Sequence, residues 1–135
     1  MIVSVLSLLL QGAQPYEPVC NQEAADRGIQ QEMNICAMTE YRAADANLNA
    51  QWKITSSKMK ARDDGWTPDW DDRPGYFASL LEGQRAWIAY RDAHCRTDGY
   101  AARGGSLEPL LVSTCKTTLT KARTEELRAL ADGPE

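Results

Sequence analysis

The sequence predicts an all-α protein: an antiparallel three-helix bundle with an N-terminal arm, stapled by two disulfides. Three observations carry this expectation. Apolar residues recur at helical spacing over three long stretches, and no stretch alternates with period two for long enough to build a sheet. Four cysteines, Cys20, Cys36, Cys95 and Cys115, are even in number and contain no Cys-x-x-Cys pair. The 135 residues are 43% hydrophobic and 25% charged, the mix of one globular domain.

Residues 2–10, Ile-Val-Ser-Val-Leu-Ser-Leu-Leu-Leu, form an uncharged apolar run. It is too short to cross a bilayer and has the length of the apolar region of a secretory signal. A cut after Ala13 would leave residues 14–135 as the helical domain, with no later segment able to span a membrane. Pro15 and Pro18 argue against a helix running on through this point. The expected location is periplasmic or secreted, an oxidising setting that suits a disulfide framework. With His94 as the single histidine and no closely spaced cysteines, a zinc site is disfavoured. Four cysteines allow three pairings, which the sequence leaves open. The favoured local one, Cys20 with Cys36 and Cys95 with Cys115, would tie the arm to the first helix and pin a long loop onto the third.

The first long helix is expected from Gln30 to about Arg62, because Ile35, Met38, Tyr41, Leu48, Trp52 and Met59 recur at steps of three, four or seven. It stops in the stretch from Arg62 to Gly75, where two prolines, two glycines and five aspartates make an acidic loop. The second helix runs from about Tyr76 to Arg96, with Phe77, Leu80, Leu81, Gln84, Trp87, Ile88 and Cys95 on one face, and ends near Thr97-Asp98-Gly99. After a Gly-rich stretch to Gly105, Ser106 is the expected N-cap of the third helix. Its stripe is Leu107, Leu110, Leu111, Thr114, Cys115, Leu119, Ala122, Leu127 and Leu130, and Gly133-Pro134 stops it.

Polar residues interrupt these stripes. Asp45 and Asn49 sit within the first, Gln84 and Arg91 on or beside the second, and Arg123 at the border of the third. A half-buried acid needs a partner, so Asp45 is expected to pair with Arg91 or Arg123, with Asn49 and Gln84 completing a structural network.

Composition narrows the function. Fifteen Lys and Arg against nineteen Asp and Glu give a net charge of −4, which disfavours nucleic acid and favours basic partners. One histidine, no Gly-rich phosphate loop and no thiol left free once both bridges form argue against an enzyme, and no cofactor is expected. His94, at the end of the second helix, is read as a surface or helix-terminal residue. Asp69-x-Asp71-Asp72 lacks the spacing of a calcium loop, so no metal is expected. Two loops are candidate partner-binding surfaces: the acidic one, with Trp66 and Trp70 beside Asp69, Asp71 and Asp72, and the Gly-rich one, with Tyr100, Arg103 and Ser106.

Several segments in this order resemble a known family: Glu32-Met33-Asn34-Ile35-Cys36; Tyr41 with Ala44-Asp45-x-x-Leu48-Asn49; Gln84-Arg85-Ala86-Trp87-Ile88-Ala89-Tyr90-Arg91-Asp92-Ala93-x-Cys95; Gly104-Gly105-Ser106; and Cys115 followed by Leu119-Thr120-x-x-Arg123-Thr124-x-x-Leu127. From Cys20 to about Leu130 the chain is similar to the LprI-type lysozyme inhibitors. The resemblance implies a small exported bacterial helical domain with two disulfides, in which the first-helix Asp, the Gln-Arg-x-Trp segment and the cysteines hold the fold. It implies a periplasmic or secreted inhibitor of a basic lysozyme that protects peptidoglycan. To block a lysozyme cleft, an inhibitor must offer donors to two carboxylates, and Tyr100, Arg103 and Ser106 are the candidates. The acidic loop would instead grip a basic rim. The alternative is an envelope interaction module without lysozyme activity, binding another exported protein or a cell-wall fragment.

Overall fold

The computed structural model describes residues 16–66 and 68–133. The signal-like run and its cut after Ala13 lie outside the described residues. The described residues form four α-helices in the order α1 (Gln22–Asp26), α2 (Gln30–Gly65), α3 (Tyr76–Gly99) and α4 (Glu108–Ala131), with a single 3-10 turn at Tyr100–Ala102 and no strand among them. The fold is all-α, as expected, and the three long helices run up, down and up.

The N-terminal arm contains a helix that periodicity does not reveal. At five residues α1 is too short for a stripe, and its signal is its cap: the Asn21 side chain accepts from the amide of Ala24. The Cys20–Cys36 disulfide then ties this arm to the first turns of α2. Cys95–Cys115 joins α3 to α4 across their connection. Both cysteines of that bridge are helical, so it clamps two helices together and does not pin a loop. The disulfide pairing is the local one.

α2 runs three residues past Arg62 before the loop begins. Ser106 is not the cap of α4. The helix starts at Glu108, with Leu107 at the cap position and no side-chain capping bond. Glu108 reaches back to accept from the amide of Gly104, which has φ +78, a conformation glycine adopts without steric cost. The Ser106 carbonyl instead accepts from Asn34 Nδ2 at 2.8 Å, fastening the turn to the start of α2. Gly99 lets α3 and α4 approach closely, since a Cβ there would lie 2.5 Å from Val112 Cγ2.

The apolar centre is small: Leu48, Met59, Leu80 and Leu127, with Trp52, Phe77 and Trp87 packed against it. Several residues of the expected stripes, among them Met38, Ile88, Leu107 and Leu130, are exposed. Much of the α2–α4 seam is built from buried Thr, Ser, Gln and Ala side chains. Thr55 donates to the Leu127 carbonyl at 2.9 Å and accepts from Gln51. Thr117 and Thr124 donate to carbonyls one turn back in α4. Small side chains allow the two helices to lie close, and the hydroxyls of Thr55, Thr117 and Thr124 are satisfied by backbone carbonyls. At the far end Lys58 and Arg62 donate to the last carbonyls of α4, where cations suit the helix C-terminus.

Candidate functional site

Arg91 is the hub of the polar residues on the inner faces. Its side chain is 9% exposed and bonds Asp92 at 2.9 Å, with Asp45 at 3.5 Å. Its guanidinium lies over Trp87 and Tyr41, at 5.0 and 5.6 Å from the ring centroids. Lys116 of α4 approaches Asp92 at 3.7 Å. Asn49 donates to Asp45 but is itself exposed. Burial pushes the Tyr41 phenol up, against the opposing pull of Arg91. The other two residues sit apart from this hub. Gln84 accepts from Arg123 Nε at 3.0 Å, and Arg123 Nη1 binds Glu126. Sequence reasoning grouped the five as one network. The structure separates them into two, because Asp45 lies beside Arg91 near the middle of the bundle while Gln84 and Arg123 meet a few turns closer to the acidic loop. Asp92 was missed, and its place beside Arg91 in sequence was the available signal.

The two candidate binding loops lie at opposite ends of the bundle. α3 separates them by its 24 residues, or about 36 Å of helix. They cannot act together on one small epitope. At the disulfide end, Arg103 stacks on the exposed Tyr100 ring at 4.3 Å. Ser106 is engaged there through its carbonyl, as described above.

At the other end Trp66 and Trp70 are 48% and 76% exposed and meet edge to face at 6.1 Å. Asp63 organises the loop, its two carboxylate oxygens accepting from the amides of Tyr76 and Phe77 at 2.6 and 3.0 Å. This is an N-cap for α3 supplied by a different helix, a link that sequence proximity could not suggest. Two side-chain hydrogen bonds from Arg73 hold the Asp71 carboxyl down to about 2. Asp64, Asp69 and Asp72 make no ion pair among the described residues and leave this end acidic. No group of three His, Cys, Asp or Glu among the described residues is placed to hold a metal ion. Behind the loop, Met59, Leu80, Tyr76, Leu130 and Arg123 line a groove of about 790 Å³. His94 stacks on Tyr90 along α3 at 5.3 Å.

Fold and site together define a small, twice-bridged helical domain with an acidic, aromatic end. The family model described as lysozyme inhibitor LprI matches residues 20–127, and the chain belongs to that family. It is also similar to an uncharacterized protein of Rhizobium meliloti (strain 1021), 42% identical over 96% of this chain and 94% of the relative. No solved structure matches the chain. No helix among the described residues is long and apolar enough to cross a membrane.

Proposed function

We propose that this protein is exported to the periplasm or beyond the cell and there binds and inhibits a lysozyme, protecting peptidoglycan. The observation that carries the reading is the acidic, aromatic end of the bundle, where an exposed tryptophan pair stands in one loop region with Asp64, Asp69 and Asp72, which make no ion pair among the described residues. Lysozymes are typically basic, so a chain of net charge −4 would attract them, and the unpaired Asp64, Asp69 and Asp72 near Trp66 and Trp70 would steer them to this end. The tryptophans would then anchor the contact as they lose water. Membership of the family supports a lysozyme as the partner. The two disulfides support export.

This reading assigns the contact to the acidic end and leaves Tyr100, Arg103 and Ser106 outside it. The test is inhibition of a panel of lysozymes by the oxidised protein at low and at physiological salt, with a reduced sample as control. Inhibition should survive physiological salt, weaken about tenfold or more in Trp66→Ala and Trp70→Ala, and change little in Arg103→Ala. An inhibitor insensitive to both tryptophan changes but disabled by Arg103→Ala would move the interface to the other end. The absence of both inhibition and binding across the panel would refute the reading.

A further inference from the structure

The outward face of α3 carries a charge order that is its own complement. At 3.6 residues per turn, Glu82, Arg85, Ala89, Asp92 and Arg96 fall within about 80° of arc around the helix. They lie opposite the buried residues Leu80, Gln84, Arg91 and Cys95. Between Arg85 and Asp92 every exposed residue is uncharged: Ala86, Ile88, Ala89 and Tyr90. Ile88 and Tyr90 are 40% and 54% exposed and flank Ala89 on its two sides. Along the helix the order is acid, base, uncharged patch, acid, base. We propose that this face is a dimer interface, on which α3 of a second copy packs antiparallel about a two-fold axis near Ala89. The inference does not rest on the lysozyme reading.

Reversal of chain direction is what makes the order self-complementary. Glu82 and Arg96 lie equally far from Ala89 in sequence, so an axis there sets Glu82 against Arg96 of the partner subunit, and the same pair forms twice. Among the described residues the ion pairs of α3 involve only Arg91 and Asp92, so Glu82, Arg85 and Arg96 keep their charges unpaired. Arg85 comes opposite Asp92 of the partner subunit. Arg91 and Lys116 both approach Asp92 through Oδ1, which leaves Oδ2 of a 44% exposed side chain to accept from it. A parallel arrangement would set each charge against its like.

The uncharged patch fits the same axis. A two-fold contact between antiparallel helices keeps each flank on its own side, so Ile88 meets Ile88 and Tyr90 meets Tyr90. His94 stacks on the Tyr90 ring at 5.3 Å and braces it. Alanine at 86, 89 and 93 adds little height to the face, so two helices can approach to the short end of the usual spacing of about 8 to 10 Å. The charge order also selects the occupant. Two acids and two bases cancel, so a basic protein is not drawn here, and only a contact between identical faces requires a self-complementary order. The contact covers about 21 Å of helix, which makes the dimer weak and concentration-dependent. Its two acidic ends point in opposite directions, so one dimer presents two of them.

Sedimentation velocity of the full oxidised protein, from about 10 μM to about 1 mM and without any lysozyme, tests the proposal. The average mass should rise from monomer toward dimer over this range. Ala89→Glu sets two carboxylates against each other at the axis, and Glu82→Arg sets arginine against arginine. Each should weaken dimerisation at least about tenfold. The double variant Glu82→Arg/Arg96→Glu reverses the order while keeping it self-complementary, and should recover the dimer. All three positions are exposed, so the variants should fold as the parent does, checked by circular dichroism. A monomer over the whole range would overturn the proposal. So would a dimer indifferent to Ala89→Glu, which would be joined through another face, or a double variant no better than Glu82→Arg alone, since the opposed charges would then not meet.

Discussion

Arg91 and Asp45 exemplify how position decides the worth of a charge. Arg91 is buried and has three kinds of partner, whereas the Asp45 side chain is 38% exposed and 3.5 Å away. Asp45→Ala should therefore cost only about 0.5 kcal/mol after solvent screening. Arg91→Ala, which also removes stem packing against Trp87 and Tyr41, should cost about 2 to 3 kcal/mol in chemical denaturation. Thr120 presents the opposite case. Its hydroxyl is fully buried and has no hydrogen-bond partner among the described residues. Thr120→Val should leave stability unchanged or raise it by about 1 kcal/mol, because no bond is lost and a dry polar group disappears. A lower melting temperature would mean the hydroxyl has a partner. For Asp71 the folded-state pKa of about 2 lies below the ordinary 3.8, so its contribution is complete well above pH 3.8 and is lost as pH falls through 3.8 toward 2. In Arg73→Ala, a carboxyl titration followed by NMR should return Asp71 to the ordinary carboxylate range.

Between helices, Asp63 is the joint that makes the acidic loop a fixed surface. It lies in the last turn of α2 and caps the start of α3, so one carboxylate ties the end of one helix to the beginning of the next. Asp63→Ala should cost about 1 to 2 kcal/mol and speed amide exchange at Tyr76 and Phe77, while Asp63→Asn, which keeps one acceptor, should cost less. Unchanged exchange would show that the loop does not depend on this cap. Helix periodicity located α2, α3 and α4 to within a few residues because burial of one face imposes that period on any long helix. It failed at α1, too short to carry a stripe, and at the start of α4, where Ser106 had the right side chain but its backbone was committed to Asn34. The apolar stripes also leave out much of the α2–α4 seam. Thr55, Thr117 and Thr124 belong to none of them, yet a hydroxyl that bonds a helix carbonyl can be buried at little cost.

In the complete molecule the small apolar centre leaves the bridges a large share of the stability. Loops of 16 and 20 residues correspond to about 3 kcal/mol each in the chain-entropy account. Loss of Cys95–Cys115, which joins two long helices, should lower the melting temperature of the entire bundle. Loss of Cys20–Cys36 should release mainly the arm and α1, visible as proteolysis near residue 20 with the remaining helices protected. Equal global destabilisation by the two single-bridge variants would contradict this division.

All-helical class, the three long helices and the acidic loop were legible in the residues themselves, because periodicity, turn chemistry and charge are properties of neighbouring positions. The disulfide pairing, the separation of the polar residues into an Arg91 hub and a Gln84–Arg123 pair, and the placement of the two loops at opposite ends required the tertiary structure. So did the groove, whose lining comes from α2, the acidic loop, α3 and α4. These features depend on which faces of distant helices meet, and helix packing sets that through side-chain volume and hydrogen bonding across the interface, which no local pattern records.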